Sequence, residues 1–394
     1  MLSELFYPHG SGGELATYLY AELLRKAGVN VVVVTNRFAG EPEISKSENL
    51  IVYRLPLFNE TEGVKFLVLR RFDVLISSYM KKLVKWADVV YIPKFWYSAI
   101  PFVKAYGKPL IVHLHGYHPA CPLSVLYDLS NNRICQHQRI CSLKCIMTDG
   151  RKKTTFPKVF ELVALNSIAK YYMDRFVRLS DSIICVSKAQ ERLIVNHFPS
   201  IARKIHVIYN PLPEVVDFDG RVGDFGYFGG PSFLKGFSVI CRALRKVSPK
   251  IKIHFTKMPK MSADLFDELR QLGIIAHETL PREIYKNLYK QIQVVVVPSV
   301  WSEPWGYTVS EALLSKRLVI ASSVGGIPEQ AEGLGGAFLF EPGNSEQLAD
   351  QIANVRDLSE EVKAELGFKN KEKFLTRFDN EKTLRNFINV LEKS

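Results

Sequence analysis

Residues 302–312 read Ser302-Glu303-Pro304-Trp305-Gly306-Tyr307-Thr308-Val309-Ser310-Glu311-Ala312, and no other stretch says as much about how the chain folds. It follows an apolar run, Val294 to Pro298, that is typical of a buried parallel strand, and it leads into a predicted helix from Gly306 to Ser315. The first N–H groups of a helix lack an intrahelical partner, and the helix dipole favours negative charge beside them. The order of strand, loop and helix therefore predicts an anion site.

Two carboxylates of this stretch stand eight positions apart, Glu303 in the loop and Glu311 inside the helix. We predict that Glu303 binds the hydroxyls of a sugar and that Glu311 accepts hydrogen bonds from a ribose. The backbone N–H groups of Gly306, Tyr307 and Thr308 are predicted to bind phosphate, because glycine lets the backbone approach closely. Two such carboxylates alone are usually ordinary surface groups; here the order of the surrounding elements favours a site.

The pair resembles the Glu-x7-Glu motif of retaining glycosyltransferases with the GT-B architecture, above all glycosyltransferase family 4. Residues 321–329 are similar to the strand and Gly-Gly-x-x-Glu loop of that family, and residues 338–343 to its next strand and turn. The likeness covers nearly the whole chain and is strongest from Asp224 to Gly343. It implies an α/β fold of the GT-B type, with two Rossmann-like domains facing each other across a cleft.

Alternating strands and helices divide the chain into two predicted domains. An N-terminal, acceptor-side domain covers residues 1–211 and carries a Cys-rich insert at 116–150. A C-terminal domain that binds the nucleotide sugar covers residues 212–378. The boundary is placed before residue 212 because prolines break the alternating pattern there. The resemblance implies that residues 379–394 form a helix that crosses back to the first domain.

The loop Gly10-Ser11-Gly12-Gly13 is a second candidate for phosphate binding, since it exposes N–H groups at a predicted helix N-terminus. Gly12 and Gly13 match paired glycines of the family, which lie over the donor phosphates and the acceptor. A tight turn without a ligand is the alternative. Leu15 replaces the third glycine of a dinucleotide fingerprint, so a nicotinamide enzyme is not expected. Few residues precede Pro8, so the first strand is short or the start codon lies further upstream.

His115 follows the predicted strand Leu110–Leu114, where the family has a catalytic histidine that contacts the donor sugar near the reacting carbon. In this chain Gly116 replaces the aspartate that usually follows that histidine. The resemblance implies a catalytic role for His115. A structural histidine at the end of a strand is the alternative.

Residues 228–236 resemble the Gly-Arg-Leu-x-x-x-Lys-Gly signature of the family, whose arginine and lysine neutralise the donor diphosphate. Lys235 matches the lysine, and Gly230 stands where the arginine would be. Lys235 is therefore predicted to bind the diphosphate, with Arg282 or Lys257 as candidates to replace the missing charge. A surface lysine at the start of a helix is the alternative.

Four of the six cysteines are crowded together, at Cys121, Cys135, Cys141 and Cys145. Four thiolates can bind a structural zinc ion in tetrahedral geometry, and disulfides are rare in the cytosol. The spacing contains no C-x2-C pair, so a zinc site, free thiols and disulfides all stay open.

The net charge of +12 is concentrated between residues 64 and 178, which hold 19 Lys and Arg against 6 Asp and Glu. Within this region, residues 64–86 have apolar residues at helical spacing beside basic ones. A basic amphipathic helix suits an anionic membrane surface. A helix packed on its own domain is the alternative. No nucleic acid is expected as a partner, because no recognition motif accompanies the charge.

The resemblance to glycosyltransferase family 4 implies a hexosyltransferase that moves a sugar from a nucleotide-diphosphate donor to an acceptor with retention of configuration. The acceptor is expected to be a lipid-linked or growing glycan at the membrane surface. No Asp-x-Asp motif is present in a suitable place, so no metal cofactor is expected for catalysis. The alternatives are a GT-B epimerase or phosphorylase, and a basic nucleic-acid-binding protein. Without a signal peptide or a long apolar run, the expected location is the cytoplasm or the inner face of the membrane.

Overall fold

The computed structural model describes residues 1–58, 72–118, 120–121, 123–135, 168, 170–215, 223–256, 258–259, 263–280 and 282–394. The chain divides into two compact units. The first contains residues 1–211 together with 380–394, and the second contains residues 212–379.

The first unit contains two mainly parallel sheets and a short antiparallel pair. One sheet has the order β1-β3-β2, the other has the order β4-β5-β8-β9, and β6 pairs with β7. All neighbours are parallel except β2 with β3 and β6 with β7. Within the described residues the strands are β1 (Val31–Asn36), β2 (Ile44–Ser47), β3 (Leu50–Leu55), β4 (Val90–Pro93), β5 (Leu110–Leu114), β6 (Tyr127–Asp128), β7 (Arg133–Ile134), β8 (Ser182–Cys185) and β9 (Ile205–Val207).

Helices cover the sheets of this unit, and the final helix of the chain is one of them. The ring of Phe387 in this final helix is fully buried, 4.6 Å from that of Tyr20 and 5.2 Å from that of Tyr91. The end of the chain therefore completes the core of the first unit. The α-helices of this unit with described bounds are α1 (Gly12–Lys26), α2 (Phe72–Leu75), α3 (Ser78–Trp86), α4 (Ala99–Ala105), α5 (Lys188–His197) and the final one, Asn380–Lys393.

The second unit is built on one parallel sheet with the strand order β12-β11-β10-β13-β14-β15. Its central strand β13 is buried along its whole length, as the apolar run in the sequence predicts. The strands are β10 (Asp224–Tyr227), β11 (Ile253–Phe255), β12 (Ile274–Ala276), β13 (Ile292–Val297), β14 (Leu318–Ser322) and β15 (Ala337–Phe340).

Several helices of the second unit share a large buried apolar core with its strands. They follow the strands in alternation, which is the pattern of a doubly wound sheet. They are α6 (Phe237–Lys246), α7 (Ala263–Gln271), α8 (Arg282–Tyr289), α9 (Tyr307–Leu314), α10 (Ile327–Ala331), α11 (Ser345–Arg356) and α12 (Glu360–Arg377), and the final helix Asn380–Lys393 becomes α13.

The prediction of one amphipathic helix through residues 64–86 is wrong for the described part of that range. Two helices, α2 and α3, lie in this part of the chain. They are separate because the Ser77 hydroxyl accepts a 3.2 Å hydrogen bond from Met80 N and caps α3. Residues 59–71, with Arg70 and Arg71, lie outside the described residues. Among the helices that are described, none is long and apolar enough to cross a membrane.

Candidate functional site

The loop before α9 is held by the glycine loop that follows β14. Gly326 N donates a 2.8 Å hydrogen bond to Glu303 O. Gly325 has a φ of +60°, and a Cβ atom on it would collide with the backbone of Glu303. The chain therefore needs glycine at position 325 for both conformation and space. The two segments that resemble the family motifs thus fix the position of Glu303 together.

The Glu303 side chain is 8% exposed and bonded to Lys235. Its Oε1 accepts a 2.8 Å hydrogen bond from Lys235 Nζ and a second one from the Ser299 hydroxyl. Lys235 Nζ also lies 5.5 Å from the centre of the Trp301 ring. The residues predicted to bind the sugar and the diphosphate are therefore in contact with each other at the carboxyl end of β13.

Helix α9 begins directly after this pair. Gly306 is its N-cap, and Tyr307 and Thr308 form its first turn, so their N–H groups belong to the end of the helix that attracts anions. Gly306 has an ordinary backbone conformation, and a Cβ atom on it would make only 3.6 Å contacts. Glu311 lies one turn further on and is half-buried. Burial and then the charge of Glu311 raise the pKa of Tyr289 well above its usual value.

Lys235 is placed by a glycine that cannot be exchanged. Gly236 has a φ of +81°, and a Cβ atom there would collide with the carbonyl oxygen of Pro298 at the end of β13. Gly230, at the position of the family arginine, also has a left-handed backbone, with a φ of +61°. A residue with a side chain would be strained in this conformation. Lys257 and the side chain of Arg282 lie outside the described residues.

The first unit brings a second set of predicted residues together, around the start of α1. Gly13 is close to Lys94 and His115: a Cβ atom on Gly13 would lie 3.2 Å from Lys94 Nζ and 3.0 Å from His115 Cβ. Gly12 is the first residue of α1. Lys94 follows β4 with a φ of +78° and forms an ion pair with the buried Glu14.

His115 is neutral in this arrangement. Its ring nitrogens are buried and have no hydrogen-bond partner among the described residues. Burial, and then the nearby charge of Lys94, lower the pKa of His115 to about 3. The ring stacks on His113, with 4.2 Å between centres. A Cβ atom on Gly116 would collide with the Ser124 hydroxyl, so the space of the usual aspartate is occupied.

Sequence reasoning missed two buried carboxylates near Lys94, Glu14 and Glu4. Burial raises the pKa of Glu14, but the Lys94 ion pair and the 2.6 Å hydrogen bond from Ser11 N outweigh it, so the pKa is lowered. Glu4 is fully buried, and its Oε1 has no partner among the described residues. Burial raises the pKa of Glu4 to about 8, against the opposing charge of Lys94. The sequence signal for Glu4 was its position as an acidic residue among the apolar first residues of the chain.

The cysteine cluster is described only in part. Cys121 is buried and Cys135 is half-buried, whereas Cys141 and Cys145 lie outside the described residues. In the part of the chain that the structure describes, no three His, Cys, Asp or Glu side chains are grouped to hold a metal ion. A structural zinc ion on the four cysteines stays a prediction.

Comparison with known proteins gives family matches over both units. A sequence model of Glycosyltransferase Family 4 matches residues 10–214, and one of Glycosyl transferases group 1 matches residues 223–357. An uncharacterized 42.6 kDa protein in the cps region of Klebsiella pneumoniae is 23% identical, over 86% of this chain and 89% of its own. An uncharacterized glycosyltransferase of Methanocaldococcus jannaschii is 28% identical, over 63% of this chain and 72% of its own.

Solved structures share the fold over nearly the whole chain. Sucrose-phosphate synthase from Thermosynechococcus elongatus has a TM-score of 0.71 at 14% identity, covering 98% of this chain and 94% of that one. Anabaena HepE in complex with UDP-glucose has a TM-score of 0.64 at 17% identity, covering 100% and 99%.

Two α/β units with parallel sheets and these full-length structural matches define the GT-B class of glycosyltransferases. The chain belongs to glycosyltransferase family 4 and is an enzyme of the hexosyltransferase type. The family and the fold class predicted from the sequence are confirmed.

Proposed function

We propose that the protein transfers a sugar from a nucleotide-diphosphate donor to an acceptor hydroxyl, with retention of configuration. The observation that carries the proposal is the contact between Lys235 and Glu303 beside the N-terminus of α9. A cation, a carboxylate and a helix N-terminus meet at one strand end. They suit the diphosphate of a nucleotide sugar, the hydroxyls of its sugar and the negative charge that develops on the leaving group. HepE, which shares the fold, forms a complex with UDP-glucose.

When the donor binds, the ion pair between Lys235 and Glu303 opens, and each residue contacts a different part of the donor. A diphosphate attracts the Lys235 amine away from Glu303, because phosphate oxygens carry more negative charge than one carboxylate. Glu303 then accepts hydrogen bonds from sugar hydroxyls, so neither charged group is left without a partner. Ser299 keeps Glu303 in place throughout, since its hydroxyl already donates to Oε1.

The leaving group is stabilised by the same groups that bind the diphosphate. Charge grows on the β-phosphate as the bond to the sugar breaks, and Lys235 and the N–H groups of Gly306, Tyr307 and Thr308 are aligned in advance to receive it. Glu311 binds the ribose hydroxyls and fixes the nucleoside. These donors neutralise the diphosphate without a divalent metal ion.

His115 contributes a neutral ring to the donor sugar. Its pKa is lowered to about 3, so the imidazole carries no charge at neutral pH and donates or accepts a hydrogen bond according to its tautomer. Retention follows from attack on the same face as the departing diphosphate, with a donor phosphate oxygen taking the proton of the acceptor. In this proposal Gly12 and Gly13, at the start of α1, bind the donor phosphates through their backbone N–H groups.

The acceptor proposed is a lipid-linked pyrophosphate or a growing glycan on one, at the inner, anionic surface of a membrane. Helix α3 supports this: Lys81, Lys82, Lys85 and Trp86 are exposed on it, while Met80 and Val84 are buried. Exposed basic residues beside an exposed aromatic ring suit the interface of an anionic bilayer.

The test is a product analysis with a panel of nucleotide sugars. A true donor at 100 times its Kd should raise the free energy of unfolding by about 2.7 kcal/mol, which a thermal-shift screen detects. The selected donor is then incubated with candidate acceptors, and NMR determines the anomeric configuration of the product. Glu303→Gln, which keeps the shape and removes the charge, should lose transfer.

Four outcomes would contradict the proposal. Inversion of configuration would reject the retaining mechanism. Conversion of the donor without an acceptor would favour an epimerase, and a requirement for inorganic phosphate would favour a phosphorylase. Binding of oligonucleotides in place of nucleotide sugars would favour the basic nucleic-acid-binding alternative.

A further inference from the structure

Lys94 reaches the start of α1 from the end of β4. Its backbone is left-handed, with a φ of +78°, and this conformation costs free energy for any residue with a side chain. Its N–H group donates a 3.1 Å hydrogen bond to His113 O, which holds the turn in place. Gly13 gives the side chain its space, because a Cβ atom there would lie 2.5 Å from Lys94 Cε. The strained turn and the glycine together bring a cation to the N-terminus of α1.

Glu14 is the partner of this cation. Its side chain is 1% exposed and forms an ion pair with Lys94, whose side chain is 16% exposed. The other carboxylate oxygen, Oε2, accepts a 2.6 Å hydrogen bond from Ser11 N as part of the cap of α1. Glu14 therefore interacts with a lysine and with a backbone N–H group at a helix N-terminus. These are the two kinds of partner that a phosphate group binds in proteins.

Other buried polar atoms lie near Lys94. Glu4 Oε1 and both ring nitrogens of His115 are buried and have no hydrogen-bond partner among the described residues. The charge of Lys94 acts on the pKa of both side chains, after the larger effect of burial. Because buried polar groups are normally hydrogen-bonded, this excess indicates a place where a polar ligand binds.

Glu4 shows how burial affects a carboxyl group here that has no ion pair. Burial raises the pKa of Glu4 to about 8, and burial is also the largest influence on the pKa of Glu14. For Glu14 the opposing effects of Lys94 and of Ser11 N prevail, so the pKa is lowered. Among the described residues, the titratable groups whose charges interact with Glu14 are Glu4, Lys94 after β4 and His115 after β5. If Lys94 moved to another anion, burial would prevail and Glu14 would bind a proton at neutral pH.

We propose that Glu14 is a displaceable place-holder for a substrate phosphate: the phosphate takes Lys94 from Glu14 at the start of α1, and Glu14 takes up one proton. A phosphate carries more negative charge than a carboxylate, so the Lys94 ammonium group favours it. The proton comes from solvent and binds Glu14 Oε1, the oxygen that Lys94 leaves, so that no unpaired charge stays buried. Oε2 keeps its hydrogen bond from Ser11 N, and α1 stays capped.

The exchange has two consequences that an ion pair of purely structural role would not have. Competition from Glu14 makes phosphate binding weaker than Lys94 alone would make it, and phosphate binding is linked to proton uptake. The inference rests on the proposed function for the source of the phosphate, which is the donor diphosphate or the pyrophosphate of a lipid-linked acceptor. Both sources present the same oxyanion chemistry to Lys94.

The test measures binding of inorganic pyrophosphate by calorimetry in two buffers that differ in ionisation enthalpy, which counts the protons taken up. All proteins carry Lys235→Met, so that binding in the second unit does not mask the site. Glu14→Gln keeps an oxygen to cap α1 but cannot take up a proton. It should bind pyrophosphate about fivefold or more tighter than the parent and take up about one proton fewer per pyrophosphate. Lys94→Met should weaken binding about tenfold or more.

Asp181→Asn is the matched control. Asp181 forms an ion pair with Lys104 in the same unit, with 2.8 Å between Nζ and Oδ2, but it lies at the start of β5, where Oδ2 also accepts a hydrogen bond from Leu110 N. This variant should change neither the affinity nor the proton uptake. The proposal is overturned if Glu14→Gln binds no tighter than the parent, if both take up the same number of protons, or if the parent binds no pyrophosphate. If Lys94→Met does not fold, the comparison of Glu14→Gln with the parent decides alone.

Two further ligands identify the source of the phosphate. The nucleoside diphosphate of the selected donor and geranyl pyrophosphate are compared in the same assay, and the source is the ligand whose proton uptake depends on Glu14. If neither ligand shows this dependence, the place-holder role is wrong even where pyrophosphate binds. A protein that transferred no sugar but took up the proton with pyrophosphate would contradict the proposed function and leave this site standing.

Discussion

Replacing Gly325 by alanine tests whether the glycine loop positions Glu303. The matched control is Gly333→Ala, because both glycines are left-handed, with φ values of +60° and +72°. A Cβ atom on Gly333 has nothing within 4 Å, whereas one on Gly325 collides with the backbone N, C and O atoms of Glu303. The two variants therefore share the conformational strain and differ in the collision.

The expected free energies follow from these two contributions. A left-handed alanine costs about 1–2 kcal/mol, and the stiffer unfolded chain returns about 0.4–1 kcal/mol. Gly333→Ala should thus lower the free energy of unfolding by about 1 kcal/mol. Gly325→Ala should lower it by about 2–4 kcal/mol, because displacing a packed neighbour adds about 1–3 kcal/mol.

The activities should separate the variants more sharply than the stabilities do. Gly325→Ala moves the backbone that carries Glu303, and a displacement of about 1 Å at a reacting centre can cost about 100-fold in rate. Gly333→Ala should keep the wild-type kcat/KM. Urea unfolding and initial rates of transfer measure the two quantities. If both variants had kcat/KM within twofold of each other, the loop would not position Glu303, and the reasoning would be refuted.

Four further outcomes are expected. Glu311→Ala should weaken donor binding by about 1.5–3 kcal/mol, measured by calorimetry, through loss of a charge-assisted hydrogen bond to the ribose; unchanged affinity would remove Glu311 from the site. Transfer should continue in EDTA, because Lys235 and backbone N–H groups neutralise the diphosphate, and a strict need for Mg²⁺ or Mn²⁺ would contradict this. Lys81→Gln with Lys82→Gln should reduce sedimentation with anionic vesicles at low salt, by on the order of 1 kcal/mol per charge, and leave donor affinity intact; a wild-type protein that ignores such vesicles would exclude the membrane proposal. The pKa of Glu4 is raised to about 8, so its contribution to stability is present below pH 4.5 and is lost as pH rises through 8. Glu4→Gln should therefore reduce the loss of stability between pH 5 and pH 8 by up to about 1.4 kcal/mol per pH unit. Urea unfolding measures the free energy of unfolding of both proteins. If this free energy changed with pH at the same slope in both, Glu4 would not titrate in this range.

The elements around β13 were predictable because their signal is local. An apolar, β-branched run bounded by proline predicts a buried strand, and β13 is buried throughout. The glycine at position 306 predicted the start of α9 within one residue. The predicted strand Leu110–Leu114 is β5 with the same bounds.

The break between α2 and α3 shows where such local patterns mislead. Apolar residues recur at helical spacing on both sides of Ser77, but the Ser77 hydroxyl accepts a hydrogen bond from Met80 N and starts a new helix. Ile76, an apolar residue just before this break, is 61% exposed.

The contacts within the two sets of candidate residues could not be predicted from spacing. Lys235 and Glu303 are 68 positions apart, and Lys94 and Glu14 are 80 apart. Parallel strands bring such residues to one edge of a sheet, but the sequence does not say which side chains then meet. The glycines were the available signal: Gly13 and Gly325 both stand where a neighbouring side chain or backbone needs the space.

The Lys235–Glu303 contact has a consequence for how the proposed donor binds. A nucleoside diphosphate without its sugar would attract Lys235 and leave the nearly buried Glu303 with Ser299 but without its cation. An uncompensated buried charge is unfavourable, so the site penalises this state. A donor with its sugar attached supplies hydroxyl groups to Glu303 and removes the penalty. Under the proposed mechanism, Lys235 and Glu303 therefore favour the complete nucleotide sugar over the nucleoside diphosphate that remains after transfer.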